Sequence, residues 1–132
     1  MTTWRFLLLA TASSAVPACS DLADLRSLQR GLAAQFSAST VNVNVNNGVQ
    51  LTVMLANSRA ASFPDSEREV FARRVAEYVR DHYPKYDRLQ MVRVGFTKVA
   101  RAGALSVTSS SVPYSFTRQD LGSPNPTPAR AN

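Results

Sequence analysis

Thr40-Val41-Asn42-Val43-Asn44-Val45-Asn46-Asn47-Gly48-Val49-Gln50-Leu51-Thr52-Val53-Met54-Leu55 is the stretch that decides the fold. Apolar and polar residues alternate on both sides of Asn46-Asn47-Gly48, and a period of two marks strands with one buried face. The break carries the glycine of a hairpin turn. A two-residue loop at Asn47-Gly48 would set Val45 against Gln50, Val43 against Thr52 and Asn44 against Leu51, mixing the faces. A three-residue loop of Asn46, Asn47 and Gly48 sets Val45 against Val49, Val43 against Leu51 and Val41 against Val53, so that all apolar residues share a face. A one-residue slip turns a whole strand over, so burial selects the three-residue loop. Gly48 then takes the left-handed conformation that such a loop needs. One sheet face is therefore polar, with Asn42, Asn44, Gln50 and Thr52, joined by Arg93 and Thr97 from a later strand. The other face is apolar and needs a covering layer.

Helices on either side supply that layer. Leu22, Leu25, Leu28 or Gln29, Leu32 and Phe36 recur at three- and four-residue steps. Asp21 is placed to cap this helix and Asp24 suits its positive end. After the hairpin, residues 57–64 read as a loop. Ser66 and Glu69 have the spacing of a capping box behind Pro64. The second helix runs to about Tyr83, where Pro84 stops it. Phe71, Val75, Tyr78 or Val79, and His82 form its stripe beside Ala72 and Ala76. Glu69–Arg73 and Arg73–Glu77 have the spacing of surface ion pairs. Residues 90–98 then read as a strand with Val92, Val94 and Phe96 inward. Arg101-Ala102-Gly103 suggests a turn, and Leu105 and Val107 a further strand. Val112, Tyr114 and Phe116 alternate once more, with Pro113 confining that piece to an edge. The order α-β-β-α-β-β predicts an α+β fold: a two-layer sandwich with a mostly antiparallel sheet of four or five strands and two helices on one face. A parallel neighbour is allowed through the helical crossover.

The chain has 132 residues, room for one domain. Arg5 and the N-terminus precede the apolar run Phe6-Leu7-Leu8-Leu9-Ala10-Thr11-Ala12, too short to span a bilayer. Small residues follow, ending at Ala18. This is the anatomy of a secretory signal at 1–18. Residues 19–121 then form a single small domain, and 122–132, with three prolines, a disordered tail.

Val16-Pro17-Ala18-Cys19 resembles a bacterial lipobox, with Pro17 in place of the usual small residue. The resemblance implies cleavage before Cys19, lipid attachment at Cys19 and anchoring to a membrane. A lone cysteine in an oxidising compartment also has no disulfide partner within its own chain. Ser20 after the cysteine would favour the outer membrane by the sorting rule of enteric lipoproteins. An ordinary signal-peptidase site fits the same bond and would release a secreted or periplasmic soluble protein. The stretch from Thr40 to Phe96 resembles in outline the BON domains of bacterial envelope proteins. It shares a strand, Asn47-Gly48-Val49, a second strand, a helix with Ala72 and Ala76, and a strand with Val92 and Val94. The resemblance implies a role at envelope membranes, where BON domains are associated with phospholipid binding.

The formal charge is +6, or +5 once Arg5 leaves with the signal. Arginine supplies most of it, which favours acidic partners such as anionic lipid, a cell-wall polymer or another envelope protein. The exported leader argues against nucleic acid. Arg73, Arg74 and Arg80 on the second helix are the expected anionic contacts. Catalytic constellations are sparse: His82 is the one histidine, and Cys19 the one cysteine. No metal set, glycine-rich phosphate loop or Gly-x-Ser-x-Gly elbow is present, so no cofactor is expected. Asp65, Glu67 and Glu69 suit a helix start. His82 reads as a partly buried aromatic near a helix end. The expectation is a non-catalytic binding or structural domain, with a small periplasmic hydrolase or an accessory subunit of an envelope enzyme as the alternative. A pocket joining His82 to a carboxylate would favour the enzyme.

Overall fold

The computed structural model describes residues 18–124, with side chains from residue 21 onward. Residues 1–17, which hold most of the predicted leader, and the tail from 125 lie outside the described residues. The fold is the expected α+β sandwich. Its elements are α1 (Ala18–Phe36), β1 (Thr40–Asn46), β2 (Gln50–Ala56), α2 (Asp65–His82), β3 (Met91–Ala102), β4 (Leu105–Ser110), β5 (Tyr114–Thr117) and a short α3 (Arg118–Leu121). Short 3-10 turns at Arg59–Ser62 and Tyr86–Arg88 flank α2.

The hairpin has the faces read from the sequence and a different register. Val45 pairs with Leu51, Val43 with Val53 and Val41 with Leu55, two residues along from the expected partners. Val41, Val43, Leu51, Val53 and Leu55 are buried, and Asn44 faces Thr52 on the polar side. The loop residues are Asn47, Gly48 and Val49 rather than Asn46, Asn47 and Gly48. Both Asn47 and Gly48 have positive φ, and the Val49 amide closes the turn on the Asn46 carbonyl at 3.2 Å. The Val49 carbonyl instead accepts the amides of Gln90 and Met91 as β3 enters. That contact lies outside the hairpin and takes Val49 out of its ladder. A shift of two preserves every face, so alternation cannot detect it.

Through the α2 crossover, β3 lies parallel to β2, and Leu51, Val53 and Leu55 register with Val92, Val94 and Phe96. The sheet order is β1-β2-β3-β4, with β5 also on β3. β4 and β5 follow one another along the same edge of β3. Thr97 pairs with Ser110, and Val94 with Tyr114, so one extra residue lies on the β4–β5 side between them. This bulge holds Ser111, Val112 and Pro113, where a missing amide costs no ladder bond. Ser111 secures it: its amide donates to the Phe96 carbonyl at 2.9 Å, and its Oγ accepts the Phe96 amide at 3.1 Å.

Both long helices cover the apolar sheet face. Leu28 and Leu32 of α1 and Phe71, Ala72, Val75, Ala76 and Val79 of α2 join the buried strand residues, Tyr83, Tyr86, Leu89 and Phe116. Phe36, Phe63 and Phe96 all meet Phe71 edge-on, at centroid distances of 5.4–6.0 Å. Several local expectations are corrected. α1 starts before Asp21, which instead pairs with Lys85, and Leu22 is exposed. No side chain caps α2 at Pro64, so the Ser66–Glu69 capping box is not formed; Asp65 and Glu67 still sit in the first turn, where their charge suits the dipole. The loop at 57–64 contains a helical turn, and the carbonyls of Ala60 and Ala61 within it and of Phe63 just after it accept Arg68. Arg73 forms neither expected ion pair; among the described residues the ion pairs are Arg80–Asp81 and Asp21–Lys85.

Candidate functional site

The three arginines expected to face an anionic partner do not share a surface. Arg73 lies over the Phe116 ring at 5.4 Å, and its Nη1 donates to the Asp120 carbonyl at 3.1 Å. Arg80 donates to the Leu121 carbonyl and holds Asp81 through two bonds, Nε to Oδ1 at 2.9 Å and Nη2 to Oδ2 at 3.2 Å. The Asp81 contact is the main reason that the Arg80 guanidinium is held more firmly in its charged form than usual. These two side chains clasp α3 to α2. Arg74 points the other way.

Arg74 opens onto a cleft of about 440 Å³ between the end of α1, the Arg59–Ser62 turn and the outer side of α2. Arg59 also lines it. Among the described residues, no carboxylate comes within 4.0 Å of either guanidinium. Gln35, Ser37, Glu77, Asp81, Tyr78 and His82 complete the polar wall. Ser37 takes a left-handed φ of 50° as the chain leaves α1 for β1.

His82 is exposed rather than part of the core stripe. Its ring stacks on Tyr78 at 3.8 Å and 11°, and Nδ1–H donates to the Tyr78 carbonyl at 2.9 Å. That bond leaves Nε2 as the nitrogen free to meet a ligand. The cleft thus joins His82 to Glu77 and Asp81, the juxtaposition that the hydrolase alternative asks for. Asp81, however, is forked onto Arg80, and a backbone carbonyl takes the imidazole proton that an orienting carboxylate would take in a catalytic pair.

The charge of the cleft can be weighed. Asp81 and Arg80 offset each other, Glu77 opposes one of the two free arginines, and the C-terminal end of α1 adds about half a negative charge. The last turn of α2, ending at His82, adds a similar amount, so the wall is close to neutral overall and its positive charge is concentrated on Arg59 and Arg74. Sequence reading identified Arg74 and His82 but missed Arg59, inside a segment read as loop, and Gln35, at the end of a helix read only for its apolar stripe.

Cys19 lies in the first turn of α1, with its side chain outside the described residues. Among the described residues no three His, Cys, Asp or Glu side chains gather as a metal site would need, and no helix is long and apolar enough to cross a membrane. No protein-family model, curated protein or solved structure matches the chain.

Proposed function

We propose that this chain is an exported bacterial envelope lipoprotein, anchored through Cys19, whose domain binds without catalysis an anionic group carried by an envelope polymer, lipid or protein. The observation that carries the binding role is the pair Arg59 and Arg74, brought from different elements to one cleft without a carboxylate on either. Anion binding needs charge and shape rather than tuned protonation. The address rests on the leader and the lipobox-like residues. With α1 beginning at Ala18, a lipid on Cys19 would hold the domain close to the bilayer.

Two measurements test the parts separately. Intact-mass analysis of membrane-extracted protein should show a diacylglyceryl adduct on a chain starting at Cys19; a soluble, unmodified chain would refute the anchor. In a complementation assay with folding checked by circular dichroism, Arg59→Glu/Arg74→Glu should lose function, while His82→Ala keeps it. The hydrolase reading is favoured by His82 sharing the cleft with Glu77. It would prevail if well-folded His82→Ala lost all function and the charge-reversed protein were normal.

A further inference from the structure

β3 outruns its neighbour. β2 ends at Ala56, opposite Thr97, and β3 continues with only β4 beside it to Ala102, about 17 Å further at 3.3 Å per residue. Asn57 seals the departure of β2, its Oδ1 accepting the Val99 amide at 2.9 Å. The outcome is a two-stranded ribbon that turns at Gly103-Ala104, with Gly103 at φ 62°.

Every residue of β4 is exposed. Leu105 is 74% and Val107 64% exposed, and Val112, at the ribbon's base, is 85% exposed. The register places Ala102 opposite Leu105 and Ala100 opposite Val107, so these four share one face with Lys98. It is the face that, further down β3, carries Val92, Val94 and Phe96 into the core. Past the helices no described residue covers it: Leu105 and Val107 are exposed. Arg101 stands on the other face beside Ser106. Charge on this stretch has one sign: between Asp87 and Asp120 the sequence has Arg88, Arg93, Lys98, Arg101 and Arg118 and no acid.

We propose that the ribbon docks on an anionic lipid bilayer, laying Leu105 and Val107 into the interface with Lys98 among the headgroups and Arg101, on the outer face, still within the range of their charge. The apolar side chains stand perpendicular to the strands, so a cover must lie on the ribbon's face. A second copy pairing along the β4 edge would satisfy main-chain groups and leave that face open, while bringing two sets of like charges together. A bilayer covers a face, and an anionic one complements the two cations. The ribbon lies outside the cleft and beyond the Thr40–Phe96 stretch, so the inference is independent of both. Ala18 starts α1 at the opposite pole, where Asp21 meets Lys85. In a chain anchored as proposed above, the ribbon would therefore meet a second membrane surface.

The test uses the full chain carrying Trp4→Phe, Cys19→Ser and Leu105→Trp, which makes residue 105 the sole tryptophan and prevents lipidation. Vesicles mixing phosphatidylglycerol with phosphatidylcholine should shift its emission to the blue, and brominated lipid should quench it. Adding Lys98→Glu/Arg101→Glu should weaken that response by at least about tenfold, since each cation near an anionic surface contributes about 1 kcal/mol. Water-like emission from residue 105 when the chain sediments with vesicles would overturn the proposal, because the leader or another surface would then be the contact. An equal response to pure phosphatidylcholine would overturn the choice of an anionic surface. Emission already blue-shifted without lipid, from a chain dimeric in solution, would replace it with strand pairing between copies.

Discussion

Gly31 shows how a single position records the packing around it. It lies inside α1, where alanine is favoured by about 1 kcal/mol. A Cβ there would meet the Tyr78 ring at Cζ, 3.1 Å away, and the hydroxyl closer still. The ring has little room to retreat, being stacked on His82 and edge-on to Phe36 at 5.9 Å. Overpacking of this kind costs about 1–3 kcal/mol, more than the propensity gain. Gly31→Ala should therefore lower the urea midpoint, and Tyr78→Phe in the same chain should recover much of the loss by removing the nearest atom. A raised midpoint for Gly31→Ala alone would show that Tyr78 swings aside freely. Nothing in the sequence distinguishes this glycine from an indifferent one, because its reason is a side chain on another helix.

At the scale of elements, what was legible is whatever a period encodes. Alternation placed Val41, Val43, Leu51 and Val53 on the buried face, and helical spacing placed Leu32 and Val75 there; of the alternatives it left open, Leu28 rather than Gln29 and Val79 rather than Tyr78 are buried. Hairpin register was not legible, since the Val49 carbonyl is set by residues some forty positions later. α3 was missed because it is short and its signal is a capping box, Thr117-x-x-Asp120, rather than an apolar stripe. The Thr117 amide donates to Asp120 Oδ2 at 2.8 Å, and the Asp120 amide to Thr117 Oγ1 at 3.3 Å. The first of these, helped by the Thr117 hydroxyl and then by the Arg73 charge, holds the Asp120 carboxyl below the usual carboxylate range. A lowered carboxyl stabilises the fold above its unfolded pKa, and that contribution fades as pH falls through the folded value. Amides of Leu121 and Gly122 should accordingly lose exchange protection on acidification before those of β2 and β3, and Asp120→Asn should abolish the pH dependence of that difference. Thr117→Ala should cost about 1 kcal/mol of local stability at neutral pH. Synchronous loss of protection across all elements would show that α3 does not open separately.

For the whole molecule, the candidate site was legible only in part, because Gln35, Arg59, Arg74 and His82 converge through the layer packing of distant segments. What the sequence could not assign was which arginines are occupied: Arg73 and Arg80 face α3, an element it did not reveal. The same long-range packing governs the response to alkali. Tyr83 and Tyr86 are 7% and 3% exposed, and burial pushes both phenols above their ordinary value. Burial also raises that of Tyr114, followed by its hydrogen bond to Asp65. A raised phenol favours the protonated fold, so its contribution is complete below the unfolded value near 10 and disappears as pH climbs through the folded one. Stability should fall steeply above about pH 10. Charge repulsion predicts no such fall at its onset, because a chain at +6 at pH 7 first moves toward neutrality as its lysines and tyrosines lose protons. Phenolate absorbance should therefore rise together with the loss of far-ultraviolet circular dichroism. Tyr86→Phe gives up the 3.3 Å bond to the Gly122 carbonyl and should soften the alkaline limb. Smooth titration of all the phenols near pH 10, with circular dichroism unchanged, would mean that these rings reach solvent without unfolding the core.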